Sequence, residues 1–379
     1  MWVSTRIVRH STSAISSAGH ANRRRAVSSD EIIFERRGGL GIVRLNRPKA
    51  LNTLSLAMYR RFAPQLVAWG GDSAVHAIVV MGEGGRAFCA GGDVRAIYDA
   101  CRAPGNDTAD FFREEYSLVA HVHRFPKPYI ALMDGIVMGG GAGISVNGSH
   151  RVATEKTLFA MPEVQIGLFP DVGASRFLNL CPGRLGLYLA LTGRRINAAD
   201  ALYGKFATHH VPSERLPALI DSLATLSWQA GGARAQTDAT LARFASDPGA
   251  AALASIQPDI DRVFAAASVE AIVAALAREA AAWAKDAHAA MMRASPSSLK
   301  ITFRQLALGR GMNVEAALAL EYRLTQHVLA AQDFFEGIRA TLVDKDNAPR
   351  WRPDSLAGVT DIAVDGYFAP LGAREVTFD

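Results

Sequence analysis

Asp134-Gly135-Ile136-Val137-Met138-Gly139-Gly140-Gly141-Ala142-Gly143 follows the apolar run Tyr129–Met133 and leads into a helix-like stretch. A second run has the same character. Gly84-Gly85-Arg86-Ala87-Phe88-Cys89-Ala90-Gly91-Gly92-Asp93 follows the buried-looking strand at 77–81 and precedes another helical pattern. Strand, glycine turn and helix in that order read as an α/β protein. Glycine lets a ligand approach the backbone closely, and a helix start leaves N–H groups unpaired. Two such turns facing each other would hold an oxyanion between two N–H donors. Neither run is a nucleotide fingerprint: GxGxxG and GxxxxGK[ST] are both absent, as is a GxSxG nucleophile elbow.

Outward from these turns the pattern continues. Residues 31–35 and 41–45 read as two short strands around Gly38-Gly39, and Asn46-Arg47-Pro48 ends the second. Residues 54–69 predict a helix that Thr53 or Ser55 can cap. Strand–turn–helix units recur to about residue 210 without a fixed-length repeat. Beyond about residue 225 the strands fade. Residues 268–292 have helical spacing, with Val269, Ile272, Val273, Leu276, Ala280 and Trp283 on one side, and 313–335 look helical again. The expected organisation is a tail at 1–29, an α/β core at 30–225 and a mostly helical region at 226–379.

Composition bounds the function. The chain has 379 residues, 49% hydrophobic and 20% charged, enough to bury a sizeable core and too apolar for a disordered chain. No apolar run reaches the roughly 18 residues of a membrane span, so a soluble intracellular protein is expected. Three cysteines (Cys89, Cys101 and Cys181) without a CxxC pair exclude a disulfide scaffold and a cysteine-rich zinc site, and suit a reducing compartment. The net charge of +5 belongs to the tail. Residues 1–29 hold five of the 41 Lys+Arg and no acid, so the remainder balances at 36 against 36. That balance gives no basic face for nucleic acid. The tail has the composition of a mitochondrial transit peptide, or of an extension with no targeting role. Arginine outnumbers lysine 34 to 7, a bias that hints at a bacterial source and cytoplasmic location; a eukaryotic source would place the protein in the mitochondrial matrix. The ten histidines show no metal spacing. Ser297-Ser298-Leu299-Lys300 fits SxxK but lacks that motif's companions.

Three acids stand in apolar settings. Glu163 lies in LFAMPEV (158–164) and Asp171 in IGLFPDVG (166–173). Desolvation there raises a carboxyl's pKa and basicity, although either could be a loop acid or a helix cap. Residues 109–125 have helical spacing, with Phe111, Leu118, Val122 and Phe125 on one stripe, and Glu115 falls inside it. A buried ion pair and a substrate contact both fit Glu115; Glu114 at the stripe's edge is expected to be solvated.

Together these residues resemble the crotonase (enoyl-CoA hydratase/isomerase) superfamily, and within it the 3-hydroxyisobutyryl-CoA hydrolase family. The resemblance runs from about residue 30 to 365 through RPKALN (47–52), AFCAGGD (87–93), FFREEY (111–116), MGGG (138–141), MPE (161–163), FPDVG (169–173), SPSSLKIT (295–302) and EYRL (321–324). It implies a spiral of repeated ββα units with a helical C-terminal region. It also implies an oxyanion hole from the Gly92 and Gly140 N–H groups, catalytic Glu163 and Asp171, and Glu115 on the substrate. The 47–52 and 90–95 turns, with Lys49, Ala50, Ala90 and Asp93, would lie along the CoA. The implied reaction converts 3-hydroxyisobutyryl-CoA to 3-hydroxyisobutyrate and free CoA, a step of valine catabolism. CoA is part of the substrate; no separate cofactor, metal, nucleic acid or membrane partner is implied. Crotonase relatives are often trimers or dimers of trimers, which makes a homo-oligomer an expectation. Two departures bear on chemistry. Hydratases usually carry a second glutamate where this chain has Gly143, and a small residue where it has Asp171. One acid lost and another gained favours hydrolysis over the alternatives, an enoyl-CoA hydratase/isomerase or a non-catalytic acyl-CoA-binding protein.

Overall fold

The computed structural model describes residues 31–101 and 109–378; the tail at 1–29 lies outside them. From Glu31 on the chain forms one unit built around two sheets. The larger takes its first two strands from the predicted hairpin, β1 (Ile32–Arg37) and β2 (Leu40–Leu45), paired antiparallel from Ile32↔Leu45 to Arg37↔Leu40. Then β3 (Ala77–Gly82), β5 (Tyr129–Met133), β7 (His150–Ala153) and β9 (His209–His210) add in parallel, giving the order β1-β2-β3-β5-β7-β9. The smaller sheet is β4 (Ala87–Cys89), β6 (Ile136–Met138) and β8 (Leu158–Ala160), all parallel.

The chain therefore places one strand in each sheet in turn: β3 then β4, β5 then β6, β7 then β8. That is the expected ββ alternation. It escaped detection as a sequence repeat because the helices between turns of the spiral differ in length. The segment after β4 holds α2 (Val94–Cys101) and α3 (Ala109–Arg124), whereas β6 is followed by the single short α4 (Gly140–Val146).

Central parallel strands are covered on both faces and so read as continuous apolar runs. Every residue of β5 is buried. Alternation still sorts the side chains. Ile78, Val80, Ala131 and Met133 face the main core, while Ala77, Val79, Ile130 and Leu132 face a second core made with the helix Leu216–Ala224. Helix α1 (Leu56–Gly71) starts where Ser55, rather than Thr53, accepts from the Met58 N–H. No helix among the described residues is long and apolar enough to cross a membrane.

One sequence reading needs correction. The helical spacing at 268–292 belongs to two helices, Val269–Leu276 and Ala282–Arg293, and Ala280 lies exposed in the break. Alanine carries no signal for termination, and packing of the two helices against each other sets the turn.

Asn52 clips the first spiral turn together. Fully buried and left-handed (φ 57°), it accepts from the Arg47 N–H at 2.9 Å. Its amide donates to the carbonyls of Glu83 (2.9 Å) and Ala87 (2.8 Å). Asn52→Ala should cost about 2–3 kcal/mol of unfolding free energy, because one buried and two half-buried backbone groups lose their partner and alanine resists that backbone conformation. Urea denaturation measures it; a loss below about 1 kcal/mol would remove Asn52 from this role.

Candidate active site

The three strands of the small sheet point their carboxyl ends at one place, where open α/β sheets bind ligands. Ala90–Gly92 follow β4, Gly139 and Gly140 follow β6, and Met161–Glu163 follow β8; residues from all three line one pocket of about 110 Å³. Phe111, Phe112 and Glu115 of α3 form another wall, and Leu168 and Asp171 complete it. A larger cavity of about 460 Å³ beside the helix Pro296–Leu308 contains Arg184 and Arg310 but no carboxyl among the described residues, so volume alone would misplace the chemistry.

The two glycine turns meet as the sequence suggested. Gly91 (φ 119°) and Gly139 (φ 48°) adopt backbone conformations that favour glycine, and a Cβ on Gly139 would lie 3.5 Å from the Gly91 Cα. Each turn leaves one N–H to the pocket. The Leu54 bridge uses the Gly91 carbonyl and the Asp93 N–H, so the Gly92 N–H between them points the other way. Gly140 is the first residue of α4, where no intrahelical acceptor exists. A Cβ on Gly140 would sit 3.1 Å from the Gly92 nitrogen and 3.0 Å from the Tyr59 hydroxyl, and would overlap a Glu115 carboxyl oxygen. Only glycine leaves that space open.

The acids surround these donors. Glu115 is buried on α3, as its stripe position implied, but the ion-pair reading is replaced by a tyrosine: Tyr59 donates to its Oε1 at 2.5 Å. Burial, then the charge of Asp171, pushes the Glu115 pKa well up, and the Tyr59 bond only partly offsets them. Asp171 is buried too and accepts from the Tyr116 hydroxyl at 2.7 Å. Burial raises its pKa to about 6 against the lowering effect of Tyr116. Glu163 opens the 3-10 turn Glu163–Ile166. It is 5% exposed, and its Oε2 has no hydrogen-bond partner among the described residues. Burial first, then the charges of Asp171 and Glu115, raise its pKa well above the carboxylate range. Among the described residues, no Lys, Arg or His lines the pocket.

Ala90 lines the pocket; Lys49, Ala50 and Asp93 do not. Lys49 is exposed on the turn Pro48–Ala50. The Asp93 carboxylate pairs with Arg47 at 2.9 Å and accepts from the Ala96 N–H at 3.1 Å, which ties the 47–52 turn to the start of α2. Glu114 is partly exposed and pairs with Arg60 at 3.1 Å. Among the described residues no group of three or more His, Cys, Asp or Glu could hold a metal ion. Gly143 is packed tight: a Cβ there would lie 2.7 Å from the Val172 Cβ and 3.0 Å from a Val119 methyl. Sequence reasoning missed Tyr59 and Tyr116. Tyr116 sat within the FFREEY motif, but nothing local linked Tyr59 to a carboxyl 56 residues away.

A family model described as enoyl-CoA hydratase/isomerase matches residues 40–368. The chain is 45% identical over 352 residues to the mitochondrial 3-hydroxyisobutyryl-CoA hydrolase of Xenopus tropicalis, covering 92% of this chain and 91% of that one. It is 42% identical over 357 residues to the human protein of the same name, covering 93% and 92%. Among solved structures, a carnitinyl-CoA dehydratase from Mycobacterium thermoresistibile superimposes with TM-score 0.85 at 40% identity. An enoyl-CoA hydratase from Rhodobacter sphaeroides does so with TM-score 0.84 at 36% identity; each structure covers 92% of this chain and 99% of its own.

The acids make the pocket a stability liability with a definite pH dependence. A carboxyl whose pKa is raised on folding binds its proton more tightly in the folded state, so its burial penalty is absent below the unfolded pKa and complete above the folded one. For Asp171 that window runs from about 3.8 to about 6. Asp171→Asn keeps an oxygen for Tyr116 and removes the charge. It should stabilise the fold at about pH 8 by up to about 3 kcal/mol, and the gain should vanish near pH 4. Urea midpoints at both pH values decide it; a variant no more stable than the parent at the higher pH would contradict the burial argument.

Proposed function

The chain belongs to the enoyl-CoA hydratase/isomerase family, and within that family we propose that it hydrolyses 3-hydroxyisobutyryl-CoA to 3-hydroxyisobutyrate and free CoA. The observation that carries the reaction class is the acid set at the pocket: Glu163 and Asp171 are there, and position 143 has no room for a hydratase's second glutamate. The near relatives named as hydrolases agree. A hydratase reading has the names of the two structural neighbours in its favour and Gly143 against it.

The thioester carbonyl oxygen enters between the Gly92 and Gly140 N–H groups, which stabilise the negative charge that builds as the carbonyl carbon becomes tetrahedral. The unpartnered Glu163 Oε2 takes a proton from water as the water oxygen bonds to that carbon. In an equally balanced variant Glu163 itself attacks, and water then opens the anhydride. The C–S bond breaks and the departing thiolate takes a proton from the carboxyl set. Asp171, held by Tyr116, orients the water or relays that proton. Glu115 accepts from the substrate's 3-hydroxyl. At about 110 Å³ the pocket is well below the ~300–1,000 Å³ of drug-sized ligand sites, which suits a short acyl group. Every group named comes from one chain. The acid-free residues 1–29 suit import into the mitochondrial matrix, as the relatives' names suggest, whereas in a bacterial source the chain would act in the cytoplasm. The N-terminal residue of the mature protein, read by mass spectrometry, separates the two.

Thiol release from 3-hydroxyisobutyryl-CoA, with crotonyl-CoA hydration followed in parallel, tests the reading. Fast thiol release with little hydration is expected; hydration without thiol release would return the chain to the hydratases. Glu163→Gln should lower kcat about 10²–10⁴-fold with the fold intact. Gly140→Ala, which fills the oxyanion space, should lower it about 10²–10³-fold. Because the acting carboxylate must be ionised and burial raises its pKa, kcat/KM should climb with pH above the ordinary carboxylate range. A flat profile from pH 5 to 8 would contradict a buried base. Glu115→Ala should erode preference for the 3-hydroxy substrate over isobutyryl-CoA, a discrimination that a hydroxyl-binding site sets at about 10⁴.

A further inference from the structure

Asp171 does not stand on a strand or helix. It sits on the loop between Leu168 and α5 (Ala174–Phe177), and that loop is strained. Val172 adopts φ 56°, a region that a β-branched side chain rarely enters and that persists only when the surroundings hold it. Three buried polar side chains from three elements do the holding. Gln305, on the helix Pro296–Leu308, donates to the Pro170 carbonyl at 2.6 Å and to the Ser175 hydroxyl at 2.9 Å. Asn147, just past α4, donates to the carbonyls of Val172 (3.0 Å) and Gly143 (2.9 Å). Glu321, on the helix Val314–Leu329, accepts from the N–H groups of Gly173 (2.7 Å) and Ser175 (2.8 Å), one on each carboxyl oxygen.

Glu321 is the unusual member. It is fully buried, no salt bridge from the described residues reaches it, and its carboxyl commits both oxygens to this loop. A buried carboxyl without a cation is costly to keep. An ordinary cap for a one-turn helix would not need one. Neutral side chains cap several other helices here, as Ser268, Asn313 and Thr360 do. The Glu321 pair of bonds brackets Gly173 and Ala174, immediately after the strained residue, and so fixes the direction in which the chain leaves the turn.

We propose that Glu321 is a positioning residue for Asp171: by gripping the Gly173 and Ser175 N–H groups it holds the Val172 turn in the conformation that presents the Asp171 carboxyl to the pocket. The C-terminal helices thereby take part in the chemistry without touching substrate. This rests on the reading of Asp171 as a working acid of the hydrolysis. Burial raises the Glu321 pKa to about 8, and the two N–H groups pull it the other way.

A double-mutant cycle between Glu321 and Asp171 tests it, with thiol release from 3-hydroxyisobutyryl-CoA as the assay. Glu321→Gln sets an amide NH₂ against one of the two N–H groups and should let the loop shift. A displacement of that kind costs about 10²-fold, so kcat should fall by about that factor while KM stays within about threefold. In the Asp171→Asn background the same substitution should cost less than about threefold, because the group it aims is already gone. Equal losses in both backgrounds would overturn the inference, and so would a lowered melting temperature with kcat intact, which is what a mere cap would give. If Glu321→Gln does not accumulate folded, Gln305→Met releases the other end of the same loop and runs through the same cycle: a kcat loss confined to the Asp171 background supports the inference, and equal losses in both overturn it. A fully active Asp171→Asn would instead overturn the role of Asp171 itself and take this inference with it.

Discussion

Everything at this site depends on a short piece of parallel pairing, β4 against β6. Only Ala87↔Ile136 and Cys89↔Val137 register, with an irregularity between them. Yet that contact lays the Gly91–Gly92 turn on the Gly139–Gly140 turn. Three-residue strands cannot hold themselves, so the geometry is imposed from outside. A Cβ on Gly141 would overlap the Cys89 carbonyl, which shows how closely α4 is drawn onto β4. Asn52 fastens the start of β4 from the other side. The large sheet behind them supplies the rigidity, and the small sheet supplies the reactive edge.

The second constraint is electrostatic. Three carboxyls share a pocket that no cation among the described residues enters. The ordinary way to bury an acid is to pair it with arginine or lysine, and that would depress its pKa and leave a weak base. Tyrosine is a different compromise. Tyr59 and Tyr116 each give one hydrogen bond, which steadies the carboxyl without neutralising it. The acids therefore stay basic, and they stay mutually repulsive, so they do not all ionise together. Proton sharing within such a set is a property of the set rather than of one residue. The same crowding that makes the pocket reactive makes it unfavourable for folding, the trade expected where function demands groups the core would otherwise reject.

What could be read from the sequence follows from how local each signal is. The strand–glycine–helix runs were legible because chain direction and backbone freedom are set within ten residues. Glu115 was legible because helical periodicity puts it on a buried stripe, and Glu163 and Asp171 because their neighbours are apolar. The partners were not. Tyr59, Gln305 and Glu321 lie on helices far along the chain from what they hold, where a polar residue that faces inward looks like one that faces water. The partner of Asp93 was equally out of reach: its carboxylate pairs with Arg47, 46 residues earlier, and accepts at the start of α2. Burial of a polar side chain is decided by what packs over it, and that information is not local.

Gly143 and Asp171 look in the sequence like two separate departures from the hydratase pattern. In space they are one. The missing side chain at 143 leaves the volume that Val172 fills, with a hypothetical Cβ there 2.7 Å from the Val172 Cβ. The Asn147 amide binds the carbonyls of both Gly143 and Val172, stitching helix α4 to the acid's loop. A glutamate at 143 would have to evict Val172, and with it the turn that carries Asp171. Conversely, the loop can lie this close only over a residue with no side chain. A side chain at 143 and the turn that carries Asp171 thus compete for one volume beside the two glycine turns. A family that keeps its backbone donors and exchanges the acid next to them can pass from adding water across a double bond to adding it to a thioester without altering the sheets beneath.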